Sequence, residues 1–359
     1  MNLIKPYIIY EYADKASFVQ KDIEILAIKY EVLSEDIDWK TKYKTPFNIL
    51  VQTYFYIKNI KKSKAIFVMF GGYWALVPVI MAKYFKKPCF IILGGTDCMS
   101  FPSLNYGNLR IPLLRTILRK VYENATCLLP VHKSLIECDN NYYLQQESKQ
   151  GILNNLKGIN INFSEIYNGF NSKEFNKNEA KRKKNRFISI ASIDSDIRYI
   201  LKGGDLIFKL ADIYPNYEFV LVGISENYLK KIKKIPQNLK IISFCHSEKI
   251  VDLLKSSTFY LQLSISEGFP NSLAEAMLCG CIPIGSDVGA IPEIIDDKSR
   301  IVKKRDIYEV CSIINTLLEK SEIELKSLSD HSYSRILNNF SIEKRQKSLL
   351  DIIEKYEIH

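Results

Sequence analysis

The sequence predicts an α/β protein built from doubly wound parallel sheets. Short apolar runs alternate with longer segments of helical periodicity, a pattern typical of buried strands joined by crossover helices. The chain of 359 residues is long enough for two domains of ordinary size. A hydrophobic content of 47% and a charged content of 25% indicate a folded globular protein.

The first half of the chain contains five predicted strands. They are Tyr7–Tyr10, Tyr30–Leu33, Ala65–Phe70, Pro88–Leu93 and Cys127–Val131, and helices are predicted over Ser17–Ala27, Phe47–Lys58, Ala75–Phe85 and Arg110–Tyr122. The stretch from Ala65 to Ala82 is uncharged and long enough to raise the question of a membrane span. Its Gly71-Gly72 pair favours a strand, a turn and a helix instead.

A polar, charged linker follows, and we place the domain boundary within Asn171–Asn185. The second half repeats the alternation, with strands Arg186–Ile193, Tyr217–Gly223, Leu239–Phe244, Thr258–Leu263 and Cys281–Gly285, and with closing helices Ile307–Leu318, Glu322–Asn338 and Ile342–Tyr356. The loop Asp194–Leu201 is predicted to precede a helix that starts at Lys202. We therefore predict one domain over residues 1–175, a second over residues 176–340, and a C-terminal helix within residues 341–359.

The stretch from Leu263 to Glu293 places a strand end, a loop and a helix start in immediate succession. The helix is predicted to begin near Asn271 or Ser272 and to end at Gly280. Ser272 and Glu275 have the S-x-x-E spacing of a capping box, which would explain Glu275 without any ligand. The first turn of a helix also presents free N–H groups and the positive end of the helix dipole. The loop is therefore a predicted anion-binding site.

Two carboxylates, Glu267 and Glu275, flank this loop with seven residues between them. With the A-M-x-x-G-x-I-P pattern that follows, this spacing resembles the signature of family 4 glycosyltransferases. Members of that family are retaining enzymes of the GT-B fold, in which two Rossmann-like domains face each other across a cleft that holds the active site. The resemblance implies that the first domain binds the acceptor and the second binds the nucleotide sugar. It also implies that the C-terminal helix packs back on the first domain.

The resemblance assigns roles to the residues around the loop. Glu267 would lie near the donor sugar and Glu275 would bind the nucleotide ribose. Backbone N–H groups would line the diphosphate along a segment made of Gly268, Phe269, Pro270, Asn271, Ser272 and Leu273. Gly223 and His246 follow other predicted strands at the same edge of the second domain. His246 would contact the base, although a helix-cap role explains it equally well.

Two cations are expected at the donor phosphates. Lys202 begins a K-G-x-D-L segment that resembles the family's phosphate-binding lysine segment. The family's arginine directly after the strand is missing, because Ala191-Ser192 stands there, and Arg198 would supply that charge from the loop. A lysine point charge and an arginine fork suit a diphosphate.

In the first domain, Gly94-Gly95-Thr96-Asp97 resembles a family H-G-x-D segment without its histidine. Asp97 is a candidate for contacting the donor or acceptor sugar, and a plain glycine turn after a strand is the alternative. The glycine pair that family members often carry after the first strand is also absent. The candidate catalytic residues are thus Glu267, Lys202, Arg198 and Asp97.

The expected function is transfer of a sugar, with retention, from a nucleotide-sugar donor to a glycan or lipid-linked acceptor of surface polysaccharide synthesis. The sequence shows no D-x-D motif or histidine cluster, so we expect neither a metal nor a cofactor. Two alternatives remain open: a sugar-nucleotide epimerase of the same fold, and a catalytically inactive partner subunit. Few histidines in the expected cleft disfavour the first alternative, and intact Glu267, Glu275 and Lys202 disfavour the second.

A formal net charge of +10 favours anionic partners. No DNA- or RNA-reading motif is present, so nucleic acid is not an expected partner. The predicted helix over Arg110–Tyr122 is basic and amphipathic, and it would either lie on an anionic membrane or pack its apolar face on the sheet. Eight cysteines without a C-x-x-C pair and an N-terminus unlike a signal peptide indicate a cytoplasmic protein, with peripheral contact to the inner face of the cell membrane as a further expectation.

Overall fold

The computed structural model describes residues 5–177 and 182–357. In chain order the strands are β1 Tyr7–Glu11, β2 Glu31–Leu33, β3 Ser63–Met69, β4 Cys89–Leu93, β5 Cys127–Pro130, β6 Cys138–Asp139, β7 Lys149–Gln150, β8 Lys183–Ile193, β9 Glu218–Ile224, β10 Leu239–Ile242, β11 Ser257–Gln262, β12 Ile282–Ser286 and β13 Ile301–Val302. The helices are α1 Ser17–Ala27, α2 Thr45–Asn59, α3 Leu76–Tyr84, α4 Pro112–Asn124, α5 Ile152–Asn155, α6 Asp196–Leu201, α7 Gly204–Ile213, α8 Glu226–Leu229, α9 Ser247–Lys255, α10 Asn271–Leu278, α11 Ile291–Ile295, α12 Ile307–Leu318, α13 Glu322–Asn339 and α14 Ile342–Glu357. Lys181, part of the predicted linker, lies outside the described residues.

These residues form two compact units. Unit 1 takes its described residues from Met1–Cys138, Gln150–Tyr167 and Glu343–His359, and unit 2 takes its own from Asp139–Lys149 and Asn168–Ile342. The chain passes from unit 1 to unit 2 at Asn168, earlier than the predicted end of the first domain at residue 175. The sequence also assigns Asp139–Lys149 to the first domain, whereas this segment is held in unit 2 by hydrogen bonds. Asn140 Nδ2 donates to the Ile265 carbonyl at 2.7 Å, and the Tyr142 hydroxyl donates to the Leu263 carbonyl at 3.4 Å.

The sheet of unit 1 has five parallel strands in the order β2-β1-β3-β4-β5. Its strands are almost continuous apolar runs, and Ile66 to Val68 and Cys89 to Ile91 are fully buried. Such runs are expected where helices cover both faces of a parallel sheet. The strand order reverses between β1 and β3, which is the place where doubly wound sheets bind ligands beyond the strand ends.

Helix α14 is joined to unit 1 by a buried ion pair. Arg345 Nε and Nη2 donate to the two carboxylate oxygens of Asp22 on α1, both at 2.6 Å. The Tyr10 hydroxyl donates to the same carboxylate at 3.0 Å, and Arg345 Nη1 donates to the Tyr167 carbonyl at 2.8 Å. A bidentate pair with these extra hydrogen bonds offsets the cost of burying both charges. It fixes the C-terminal helix against α1 and β1.

Helix α4 is formed by most of the basic segment Arg110–Tyr122, for which the sequence predicts an amphipathic helix. Its apolar residues Leu118, Val121 and Tyr122 are buried, so the helix packs on the protein, as one of the two alternatives expected. The stretch Ala65–Ala82 folds as most of β3, a turn and most of α3. Over the described part of the chain, no helix combines the length and the apolarity needed to cross a bilayer.

The sheet of unit 2 has six parallel strands in the order β10-β9-β8-β11-β12-β13. Numbered within the unit, this is the order 3-2-1-4-5-6 of dinucleotide-binding sheets. The order reverses between β8 and β11, whose registered pairs include Phe259 with Phe187 and Tyr260 with Ile188. The carboxyl ends of these two neighbouring strands therefore define the expected binding edge.

The last residue of β1, Glu11, is a buried carboxyl group in unit 1. Its side chain is 1% exposed, and burial raises its pKa to about 8, although the nearby side chains of Gln52, Trp39 and Tyr56 oppose the rise. The folded protein thus holds a proton on Glu11 that the unfolded chain has lost above the ordinary value of 4.5. Stability is therefore expected to fall as pH rises from about 4.5 to about 8.

We expect Glu11→Gln to remove this pH dependence. At pH 7 the stabilisation over wild type should be on the order of 3 kcal/mol, because glutamine needs no proton to be neutral. Melting temperatures of both proteins between pH 5 and pH 8 test this, with the exposed Glu24→Gln as the matched control. Parallel pH profiles for wild type and Glu11→Gln would contradict it.

Candidate active site

A buried amide organises the end of β11. Gln262, the last residue of the strand, is 5% exposed, and its Nε2 donates to Ser264 Oγ at 2.9 Å and to Glu267 Oε1 at 3.2 Å. The hydroxyl of Tyr260 donates to Gln262 Oε1 at 3.2 Å, so the amide orientation is fixed from both ends. The carboxylate of Glu267 is thereby held at the carboxyl end of β11.

Glu267 is also paired with Lys202. The Nζ of Lys202 lies 2.6 Å from Glu267 Oε1, and the two side chains are 23% and 13% exposed. Backbone contacts fix the approach, because the Ile265 N–H donates to the Leu201 carbonyl at 2.8 Å. Lys202 directly follows α6, and α7 starts at Gly204, two residues later than predicted. The structure thus brings together two predicted site residues that are far apart in sequence.

The predicted capping box at α10 is wrong. The helix starts at Asn271, and its N-cap residue is Pro270, with no side-chain capping bond. Ser272 is the second residue of the helix, and its hydroxyl donates instead to the Ile190 carbonyl at 3.4 Å. A proline has no N–H for a glutamate to accept, and Glu275 lies too far into the helix to serve as the N3 partner. Capping therefore does not account for the half-buried Glu275.

The loop before α10 is anchored by its side chains. The ring of Phe269 is buried and stacks on Phe170 at a centroid distance of 5.8 Å, and it meets Phe340 edge to face at 5.1 Å. Leu273 is fully buried, and Asn271 Oδ1 accepts from Asn168 Nδ2 at 2.8 Å. Because these side chains point into the unit, the segment Gly268–Leu273 can offer mainly its backbone to a ligand.

Arg198 lies on a short helix, so the loop predicted over Asp194–Leu201 is wrong. Helix α6 begins after Ser195, whose hydroxyl accepts from the Arg198 N–H. The half-exposed guanidinium of Arg198 lies 3.6 Å from Asp194 Oδ1, and its Nη1 donates to Ser192 Oγ at 3.4 Å. A six-residue helix is too short for its periodicity to be recognised in sequence. Arg198 nevertheless lies beside the end of β8.

Of the remaining predicted site residues in unit 2, Gly223 meets this edge and His246 lies apart from it along the sheet. Gly223 has φ +102, and a Cβ there would lie 2.5 Å from the carbonyl oxygen of Ala191 on β8. His246 is exposed and occupies the N-cap of α9 without a side-chain capping bond, after the edge strand β10.

Asp97 lies in unit 1, where its carboxylate is used in hydrogen bonds to the backbone of neighbouring loops. Its carboxylate is buried and accepts N–H groups from Gly71 at 3.0 Å, Gly95 at 2.9 Å and Gly94 at 3.3 Å. Burial raises its pKa, and these backbone hydrogen bonds oppose the rise. The carboxylate therefore ties the loops after β3 and β4 together, as expected from the glycine-turn alternative.

Sequence reasoning missed Gln262 and gave Gly289 no role in the site. Gln262 carries a weak signal, a polar residue at the end of an apolar strand. Gly289 has φ +56, and a Cβ there would lie 2.2 Å from the carbonyl oxygen of Glu267. The N–H of the next residue, Ala290, donates to the Gly268 carbonyl at 3.0 Å. Gly289 thus lets the chain after β12 pack directly against the loop that carries Glu267.

The assembled edge combines a carboxylate, a partly buried ammonium group and the N-terminus of an eight-residue helix. Such a combination can hold a polar ligand by the carboxylate and an anionic group by the lysine and the helix dipole. Among residues 5–177 and 182–357, no three His, Cys, Asp or Glu side chains lie close enough together to hold a metal ion.

Comparison with solved structures defines the class of fold. Anabaena Alr3699/HepE, crystallised in complex with UDP, superposes with a TM-score of 0.72 over 97% of this chain and 100% of that chain, at 16% identity. With the two strand orders described above, this likeness shows that the chain has the GT-B fold, with two Rossmann-like domains.

Residues 170–335 match the family described as Glycosyl transferases group 1, and this segment is therefore a domain of a transferase family. Trehalose synthase of Pyrococcus horikoshii is 28% identical over 168 residues, which are 41% of this chain and 40% of that protein. The MMP alpha-(1->4)-mannosyltransferase of Mycolicibacterium hassiacum is 28% identical over 196 residues, 52% of this chain and 47% of that protein. The matched segment thus spans less than half the length of these curated relatives.

We expect Gly289→Ala to destabilise the protein more than Gly158→Ala does. Both glycines have positive φ, but a Cβ at Gly158 meets no atom within 4 Å. Gly158→Ala should cost about 1–2 kcal/mol from the backbone conformation alone, whereas Gly289→Ala must also displace the Glu267 carbonyl. Urea unfolding of the two variants compares the costs. Equal losses would show that the loop yields freely at this contact.

Proposed function

We propose that the chain is a retaining glycosyltransferase of the family 4 type, which transfers a sugar from a nucleoside-diphosphate sugar to a hydroxyl group of a glycan or lipid-linked acceptor. The Lys202–Glu267 pair at the switch point of unit 2 carries this proposal. The group 1 match over residues 170–335 and the UDP bound by the Anabaena protein support it, and they favour a UDP-sugar as donor. A role in surface polysaccharide synthesis at the inner face of the membrane is part of the same proposal.

In this proposal the donor diphosphate lies between Lys202 and the first turn of α10. Glu267 receives hydroxyl groups of the donor sugar, and Glu275, which capping does not explain, receives the ribose hydroxyls. Gln262 is a positioning residue, because it holds the Glu267 carboxylate through Nε2. Arg198 faces the same edge from α6 and is the second cation of the proposed phosphate site.

The proposed reaction exchanges one bond at the anomeric carbon for another. The bond from that carbon to the β-phosphate oxygen breaks, and a bond to the acceptor oxygen forms on the same face. The acceptor proton passes to the departing phosphate oxygen, and the nucleoside diphosphate is released. Lys202 and the dipole of α10 stabilise the charge that develops on the leaving group, so no metal is required in this proposal.

The activity is tested by incubating the chain with UDP-, GDP- and ADP-sugars and candidate acceptors. We expect release of nucleoside diphosphate and a product that keeps the donor's anomeric configuration, measured by NMR, with or without EDTA. The preferred donor should also stabilise the fold by about 2.7 kcal/mol at a hundredfold excess over its Kd. Conversion of the sugar nucleotide without release of diphosphate would identify an epimerase. The absence of both donor binding and turnover would identify an inactive subunit.

We expect Lys202→Ala to lower kcat/KM by an amount that corresponds to about 2–4 kcal/mol of lost transition-state stabilisation, as for removal of an oxyanion-type donor. Both kcat and donor affinity should fall. Arg198→Ala, a half-exposed cation already paired with Asp194, is the matched variant and should cost less. If both variants have wild-type kinetics while the nucleotide still protects the fold, the donor phosphates bind elsewhere.

A further inference from the structure

Helix α2 in unit 1 turns polar side chains inward. The buried residues of this helix are Asn48, Gln52 and Tyr56. Asn48 Nδ2 donates to the Asp38 carbonyl at 2.8 Å, and Gln52 Nε2 donates to the Trp74 carbonyl at 2.9 Å. A surface helix of a globular protein ordinarily does the reverse and packs an apolar stripe on the core.

The opposite side of α2 is apolar and exposed. Phe47, Leu50, Tyr54 and Ile57 follow one another at spacings of three, four and three residues, which places them on one face. We call these four residues the outer face of α2. Their exposures lie between 58% and 69%, so each is far from buried. Contiguous exposed apolar surface of this kind marks an interaction site rather than ordinary surface composition.

The neighbouring helix extends this surface. Helix α3, which packs against α2, exposes Ile80 and Tyr84 by 53% and 79%. The Nζ of Lys61, just after α2, lies 6.0 Å from the centroid of the Phe85 ring, just after α3. The C-terminal ends of both helices therefore lie side by side and present aromatic rings and lysines together.

The chain segment that contains the outer face carries charge of a single sign. Residues 39–96 contain ten lysines and no arginine, aspartate or glutamate, so this stretch carries +10, the formal net charge of the entire chain. Three of these lysines, Lys40, Lys44 and Lys64, pair with carboxylates that lie outside the stretch. Across the described residues, no ion pair engages the other seven.

We propose that the outer face of α2 binds an anionic lipid bilayer peripherally. Its aliphatic and aromatic side chains would enter the interface, and the lysines at the two ends of the helix would reach the headgroups. A broad surface of uniform negative charge with an apolar interior is the partner that complements both properties at once. We place the contact on α2 and not on α4, because α4 packs Leu118, Val121 and Tyr122 into the unit. It does not depend on the proposed transferase activity.

The full chain is sedimented with vesicles of phosphatidylcholine, with and without phosphatidylglycerol. We expect binding to the anionic vesicles only, weakening as salt is raised. Replacing Phe47, Leu50, Tyr54 and Ile57 by serine should abolish binding. Lys58→Gln, Lys61→Gln and Lys62→Gln together should lower the partition coefficient by about a hundredfold. Because all seven side chains are exposed, these substitutions leave the core intact.

Unit 2 supplies the matched controls. Phe244→Ser, Tyr308→Ser and Ile323→Ser remove exposed apolar side chains there, and Lys230→Gln, Lys231→Gln and Lys233→Gln remove the same charge as the unit 1 lysine variant. Both control variants should bind as wild type does. Tyr54→Trp should show a blue shift in fluorescence with anionic vesicles, and Tyr308→Trp should show none.

Three results would overturn the proposal. The first is failure of the wild-type chain to sediment with anionic vesicles at low salt. The second is equal loss of binding in the unit 1 variants and their unit 2 controls. The third is a concentration-dependent dimer that the four-serine variant disrupts and anionic vesicles do not compete with, which would assign the outer face to a second copy of the chain.

Discussion

The reversal of strand order between β8 and β11 is the constraint on which the candidate site depends. In a parallel sheet every strand ends at the same edge, and connections that leave two neighbouring strands in opposite directions open a crevice between them. Segments remote in sequence meet there: the end of β8 near Ser192, the turn at Lys202, the loop at Glu267, and the turn at Gly289. None of these segments could form the site alone, because each supplies one or two groups.

The crevice is useful to chemistry only if the loop after β11 keeps its position. Three kinds of contact fix it: the ring of Phe269 among two other phenylalanines, the amide of Gln262 against the carboxylate of Glu267, and the backbone approach at Gly289. Each restrains a different part of the loop. A carboxylate and an ammonium group held in this way cost little reorganisation when a charged ligand arrives, which is the condition for electrostatic stabilisation.

Much of the fold could be predicted from sequence because buried parallel strands are apolar runs that end in glycine or polar residues. All five strands predicted in the first half have counterparts in β1 to β5, as does the succession of strand, loop and helix around Glu267. Other features depend on contacts that local patterns do not record. Helix α6 has only six residues. Lys202 and Glu267 are far apart in sequence, and they meet only because the strand order of the sheet brings their loops together.

The capping box at Ser272 and Glu275 failed for a reason that the sequence did contain. The S-x-x-E spacing is present, but the N-cap is Pro270, two residues before Ser272, so Glu275 is not at the N3 position. Nothing in the sequence indicates that Asp139–Lys149 belongs to unit 2. Hydrogen bonds from Asn140 and Tyr142 to residues after β11 hold this segment there, and no local pattern records them.

The net charge of the chain would suit either of two proposed anionic partners, the donor diphosphate and a membrane. The location of the charge along the chain distinguishes between them. The chain carries +10, but residues 39–96 account for all of it, and they lie in unit 1. The crevice of unit 2 relies on Lys202, Arg198 and the start of α10, which are local groups acting over a few ångströms. At physiological ionic strength, exposed charges are screened beyond about 8 Å. The lysine-rich stretch around α2 is the part of the chain that we propose binds the anionic membrane, and the outer face of α2 would enter the apolar interior of that membrane.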